Sequence, residues 1–163
     1  MKGKWVSGLA MLTALSVVGA MIKIPAIVGS VALDAFPALL ASVLFGAGAG
    51  AIVGAFGHLI SALIGGFPLG PLHFLIAGEM ALLVWGFGVM YKNTKFLACV
   101  VFIIGNSLVA PLPFIYLMNV GFYLGIIPSL LIGSVINTVI AMVAIPRLNS
   151  LVSHRLHNQD VKQ

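Results

Sequence analysis

Residues 34–64 read DAFPALLASVLFGAGAGAIVGAFGHLISALI, and Asp34 at the head is the only Asp, Glu, Lys or Arg in the stretch. Asp34 is a good helix N-cap and Pro37 suits a first helical turn, so a helix is expected from Asp34 to Phe45. Gly46-Ala47-Gly48-Ala49-Gly50 reads as a tight reversal, with a third helix over about Ala51 to Ile64. Both helices are short for a hydrocarbon layer of about 30 Å, which implies tilt or burial against other protein. A run this apolar points to a fold solvated by lipid.

The same character extends in both directions. Upstream, an apolar run from about Trp5 to Ile22 is long enough to cross a membrane at roughly 20 residues per span. It imitates a signal peptide, but no small-x-small cleavage site with a polar mature domain follows, so it reads as a retained first helix. Pro25 and an irregular stretch to Asp34 separate it from the second. Downstream, the loop Gly65-Gly66-Phe67-Pro68-Leu69-Gly70-Pro71 leads into a fourth helix, 72–90. After the polar turn Tyr91–Lys95 comes a fifth, 96–110, broken by Pro111-Leu112-Pro113. A sixth, 124–145, has a possible kink at Pro128 and is expected to end at Pro146 and Arg147. The expectation is an all-α membrane domain of six transmembrane helices over residues 1–150, with a polar cytoplasmic tail, 151–163.

Composition and charge agree. Of the 163 residues, 61% are hydrophobic and 7% charged, against about 25% charged in a soluble domain. The net charge of +5 does not suggest nucleic-acid binding, because the basic residues sit at segment ends without clustering. With six spans and both termini inside, Lys2, Lys4, Lys92, Lys95, Arg147, Arg155 and Lys162 all fall on the cytoplasmic side and only Lys23 falls outside, as the positive-inside rule asks. The two halves do not resemble each other, so an inverted-repeat transporter is not indicated. The lone Cys99 lies in an apolar run and reads as a small packing residue.

Each ionisable group at membrane depth needs a reason. Lys23 and Asp34 flank the first outer loop. Snorkelling and helix capping explain them, and so does a place at the edge of an outward-facing pocket. His73 lies near the outer end of the fourth helix. Glu79, six residues on and about 120° around the axis, is the only acidic residue within an expected span; it is either protonated and bonded to a neighbouring helix or part of a functional network. His58 lies within reach of Ser61 on one face of the third helix. Asn106 and Asn137 are either ligand contacts or interhelical glue. Tyr116, Asn119 and Tyr123 gather at the outer junction of the last two helices, where a tyrosine belt and a pocket wall are both natural. Ser7, Ala10 and Ala14 share a face of the first helix that would let another helix approach closely.

No phosphate-binding loop, nucleophile elbow or paired-histidine metal motif is present. Nothing places a nucleophile beside a base, so no catalytic residue, metal or cofactor is expected. An arginine ladder and a potassium-filter sequence are also missing.

The stretch Asp34-Ala-Phe-Pro37, with Leu39-Leu40, Phe45-Gly46-x-x-x-Gly50, Gly57-His58 and Ser61, resembles the substrate-capture (S) components of energy-coupling factor (ECF) transporters, which are bacterial vitamin importers. The Ala10-x-x-x-Ala14 pair and six helices with both ends inside are similar to that family. The resemblance implies a multi-pass protein of the bacterial cell membrane without an ATPase of its own. Such a protein binds a vitamin or precursor from outside, docks on a membrane coupling subunit served by two ATPase subunits, and tips over in the bilayer to deliver its cargo. It further implies docking through Ser7, Ala10 and Ala14, and a gating loop containing Pro25, Gly29 and Ser30. The implied pocket is built by His73, Tyr116, Asn119 and Tyr123, with Lys23, Asp34, Glu79 and Asn106.

Aromatic and neutral polar groups suit a planar heterocycle bearing hydroxyls, and the lack of a basic cluster argues against a strongly anionic ligand such as folate. Cobalt and nickel members need an early histidine, from which Met1-Lys2-Gly3 departs. The pattern is closest to members importing α-ribazole, a cobalamin precursor, with riboflavin, pantothenate and a pyrimidine precursor as alternatives. The rival classes are a stand-alone permease using Glu79 as its proton site and an intramembrane enzyme using His58 or His73. Reconstitution separates the first rival: uptake that requires co-expressed ATPase subunits is the expected result, and uptake by the lone chain under a proton gradient would favour the permease.

Overall fold

On helices this apolar, side-chain size sorts the faces. The computed structural model describes residues 2–25 and 30–160. Its helices are α1 (Lys2–Met21), α2 (Phe36–Leu44), α3 (Ala47–Ile64), α4 (Leu72–Tyr91), α5 (Lys95–Ile104), α6 (Phe114–Leu117) and α7 (Val120–Asp160). On α3 the large side chains Ile52, Phe56, Ile60 and Leu63 are exposed, while Gly50, Gly54 and Gly57 are buried. Those glycines sit at spacings of four and three, one stripe of the helix.

The stripe is where three other helices come close. A methyl group at Gly57 would lie 2.7 Å from Ser16 Cβ of α1, and one at Gly50 would lie 2.3 Å from Ser42 Cβ of α2. At Gly54 it would meet Val84 Cγ2 of α4 at 3.3 Å. From α4, Gly88 approaches the same Ser42, whose Cβ is 2.9 Å from where a Gly88 methyl would stand. Close backbone approach of this kind drives helix association where lipid removes the hydrophobic gain.

The reversal before α3 differs from the expectation. Only Gly46, at φ 104°, makes the turn; Ala47 to Gly50 already form the first turn of α3, with Gly50 N–H donating to Gly46 O at 3.1 Å. Gly50 serves contact with Ser42 rather than the reversal.

Four helical stretches among the described residues are long and apolar enough to cross a membrane: α3, α4, 95–117 and 120–148. The apolar part of α1, Val6–Met21, is shorter. The nine residues of α2 reach about 13 Å, less than half the hydrocarbon thickness. Its Pro37 to Ser42 are all buried, so α2 is a helix inside the protein. Large apolar side chains such as Phe74, Leu82, Trp85 and Phe96 cover the outside, the surface of a multi-pass membrane protein.

Three further corrections concern the connections. Part of the stretch after α1 is regular: β1 (Lys23–Pro25) and β2 (Ser30–Ala32) pair antiparallel, Lys23 with Ala32 and Pro25 with Ser30. Gly19 O accepts from both Ile22 and Leu33 N–H, fixing this hairpin to the end of α1. The described residues thus form helices and one small hairpin. The last helix begins at Val120 and runs 41 residues, through Pro128 and Pro146, to Asp160. A proline removes one backbone donor, which membrane helices tolerate because neighbouring groups satisfy the freed carbonyl. Beside Pro146, Arg147 Nη1 donates to Val143 O at 3.2 Å. At the end of α5 the chain widens into a π-helical turn, Gly105–Val109, closed by Ala110 N–H to Gly105 O at 2.8 Å.

The interior has two halves. Away from the hairpin, Leu39, Leu40, Val53, Val84, Phe87 and Phe102 are packed with almost no exposure. Toward the hairpin, the same helices open around a cavity. The packed half predicts that Gly50→Ala destabilises by about 1–3 kcal/mol, because Ser42 backbone and Cβ must shift. Gly48→Ala, with nothing within 4 Å, should be neutral or stabilising. Thermal melting of the detergent-solubilised variants checks the contrast.

Candidate ligand-binding site

The start of α2 is capped from the far end of the chain. Asp34 does not fill the N-cap role: α2 has Ala35 there, with no local side-chain cap. Asn137 of α7 supplies the acceptor instead, its Oδ1 receiving Ala35 N–H at 3.1 Å and Phe36 N–H at 2.9 Å. Its Nδ2 donates to Ala32 O of β2 and to Gly133 O, each at 2.9 Å. A primary amide has two acceptor sites and two donors, so this side chain, 2% exposed, is fully used. It ties hairpin, α2 and α7 together.

Directly beneath lies a cavity of about 520 Å³, within the range of small-molecule sites. One wall is a stripe of α7, in which Gly121, Gly125, Ser129, Gly133 and Asn137 recur at every fourth residue and all line the cavity. The small side chains on this face leave the room. Ile76 and Met80 of α4, Phe122 and Ile126 supply apolar surface. Asp34, His58, Asn106 and Ser134 add polar groups, and no Lys or Arg is among the lining residues. Burial pushes the Asp34 carboxyl pKa up, opposed by the backbone N–H groups of Asp34 and Ala35.

The π-helical turn carries Asn106, and such turns commonly mark functional positions. Asn106 Nδ2 donates to Ser134 Oγ at 2.8 Å, and Ser134 Oγ donates to Leu130 O at 2.6 Å. Ser107 Oγ returns a hydrogen bond to Ile103 O. A smaller cavity of about 70 Å³ adjoins, sharing Ile76, Asn106, Phe122, Ile126 and Leu130 with the first. Glu79 lines it.

Behind His58 stands His73, 6% exposed. His58 Nε2 and His73 Nδ1 are 3.1 Å apart, and Leu69 N–H donates to His73 Nε2 at 3.3 Å. Phe67 covers His73, its ring centroid 4.9 Å away. Phe67 has φ 55°, a left-handed conformation that is uncommon for a bulky residue.

The sequence candidates therefore separate. Asp34 and Asn106 line the main cavity and Glu79 the smaller one, while His73 reaches the cavity only through His58. Tyr123 leans away, its hydroxyl donating to Leu108 O at 3.2 Å. Asn119 is exposed, and its Oδ1 accepts Phe122 N–H at 2.8 Å in the first turn of α7. Tyr116 is 92% exposed. None of these three lines either cavity; a four-residue helix, α6, turns this segment outward. Lys23, Pro25 and Ser30 belong to the hairpin backbone, and Gly29 lies outside the described residues. Ser7, Ala10 and Ala14 are exposed on α1, opposite the buried Leu9, Leu12 and Ser16. Ser129, Ser134 and Phe122 were not candidates from the sequence, although the four-residue period of small residues in α7 is a legible sign of a concave face.

A family model described as "ECF transporter, substrate-specific component" matches residues 8–153. A solved structure, described as the S component of a bacterial ECF transporter, superposes with TM-score 0.75 at 25% sequence identity, covering 93% of this chain and 99% of that one. No curated protein matches the chain.

Replacing Asn137 by Leu orphans two buried amide donors and should cost about 2–4 kcal/mol, read as a lower melting temperature in micelles. A melting temperature equal to wild type would show that the clamp does not hold the hairpin end together.

Proposed function

The chain belongs to the family of substrate-specific components of ECF transporters, and from that premise we propose that it captures a vitamin or vitamin precursor, α-ribazole in the best reading, from outside the bacterial cell membrane. The observation that carries the ligand class is the cavity's chemistry: apolar walls, neutral polar groups, one buried carboxyl group and no lining cation. Apolar surface from Met80, Phe122 and Ile126 suits a planar aromatic base. Asp34, Asn106 and Ser134 suit the hydroxyls of an attached sugar. A polyanion would be buried with no positive charge among the lining residues to offset it, which disfavours folate-like ligands.

In this reading the hairpin gates the cavity, because Ala32 of β2 lines it and is held by the Asn137 amide. Glu79 receives a donor from the part of the ligand that enters the smaller cavity. The exposed small residues Ser7, Ala10 and Ala14 form the docking face for a membrane coupling subunit, which two ATPase subunits drive. Six helices with both termini cytoplasmic remain part of the proposal, supported by the exposed Lys92 and Lys95 at the turn between α4 and α5.

Calorimetric titration of the purified chain with α-ribazole tests the reading, with riboflavin and folate as comparators. Saturable binding of α-ribazole alone is expected, and its absence would reject that ligand. Asp34→Asn should weaken binding by up to about tenfold, since a hydrogen bond contributes about 0.5–1.5 kcal/mol and Asn retains one acceptor. Tyr116→Ala should leave the affinity unchanged. For docking, Ala10→Leu should leave binding intact and reduce ATP-driven uptake in the assembled transporter.

A further inference from the structure

The hydrogen bonds around His73 fix which ring nitrogens carry protons. A backbone N–H can only donate, so the bond from Leu69 makes His73 Nε2 an acceptor. A neutral imidazole has one N–H, which on His73 must then be at Nδ1. That nitrogen faces His58 Nε2 at 3.1 Å, so His58 Nε2 is in turn an acceptor. The one remaining proton of His58 is therefore on Nδ1, the ring nitrogen to which no described residue is hydrogen-bonded.

We infer that the chain Leu69 N–H, His73, His58 locks His58 in the Nδ1–H tautomer, so that this side chain enters the cavity as a hydrogen-bond donor and selects a ligand with an acceptor at that position. The inference rests on the reading of the cavity as the ligand site. His73 is a positioning residue: it does not line the cavity, yet it decides which nitrogen of His58 carries the proton.

The alternatives fail on geometry. With the proton of His58 on Nε2, His73 Nδ1 would have to accept, and the His73 proton would move to Nε2, where it would confront the Leu69 N–H. Protonating either ring puts two donors face to face at one of the two contacts. The loop that supplies Leu69 is held in register. Phe67 N–H donates to Ala62 O at 2.8 Å, Gly70 N–H donates to Phe67 O at 2.8 Å, and the Phe67 ring covers His73.

The consequence for the ligand follows from the other polar groups. Asp34 offers an acceptor, and Asn106 retains its Oδ1 as an acceptor after Nδ2 has bonded Ser134. These groups take hydroxyl or N–H donors. His58 complements them by taking an acceptor, such as an unsubstituted sp² ring nitrogen. The ligand class that satisfies both sides is a nitrogen heterocycle with a free ring nitrogen on one side and hydroxyls on the other.

Nitrogen-15 NMR of histidine-labelled protein in micelles reads the tautomers without any ligand. The expected result is a protonated Nδ1 and bare Nε2 on both His58 and His73, with a scalar coupling between His58 Nε2 and His73 Nδ1 across the hydrogen bond. A His58 protonated at Nε2, or a mixture of its tautomers, would overturn the inference. His73→Phe keeps a ring beneath Phe67 but removes the acceptor and donor. It should release His58 into a mixture of tautomers and weaken α-ribazole binding about tenfold; an unchanged His58 tautomer in this variant would also overturn it. Because the nitrogen shifts are read on the empty protein, failure of α-ribazole to bind wild type would count against the ligand reading alone.

Discussion

One primary amide ties the hairpin, α2 and α7 of this protein together. Asn137 spends its acceptor on the first two amides of α2 and its donors on the end of β2 and on its own helix. In a membrane interior an unpaired amide has no water to turn to, so the four partners hold one another in place. Without the clamp, α2 would begin with orphaned donors, and β2 would lose its hydrogen bond to α7. The same amide forms part of the cavity wall. Any ligand that disturbs it is felt at once by the hairpin and by α2.

The rest of the fold gives that clamp a rigid base. Gly50, Gly54 and Gly57 let α2, α4 and α1 approach α3 closely, while Phe87 packs edge-on against Phe102 with ring centroids 6.1 Å apart. This half has no room to open. The hairpin half is built from the opposite arrangement, with small residues of α7 facing empty volume. One bundle thus has a packed end and a hollow end.

Much of this was legible in the sequence. The apolar runs, the loop before α4 and the proline break after α5 fall close to where residue type places them, and the phenylalanine-proline and glycine motifs of residues 34–61 pointed to the family that the chain matches. What escaped were features decided at long range. Asp34 looks like the cap of α2 because capping is normally local; the true cap lies 102 residues from Ala35. The glycines of residues 46–50 look like a turn, and only contact with Ser42 reveals Gly50 as a packing residue. Tyr116 and Asn119 look like a pocket wall because they are aromatic and polar near an expected mouth, yet α6 turns them outward. His58 and Asn137 were noticed but read as equally good structural residues, and only the bonds they make distinguish their roles.

The central claim is that the hollow half of the bundle is where the ligand sits. Native mass spectrometry of the chain purified from its membrane tests it directly, comparing wild type with Gly125→Phe, which places a ring in the cavity. The account predicts a bound small molecule on wild type and none on the variant, at an unchanged melting temperature of the ligand-free forms. The same bound mass retained by Gly125→Phe would contradict it.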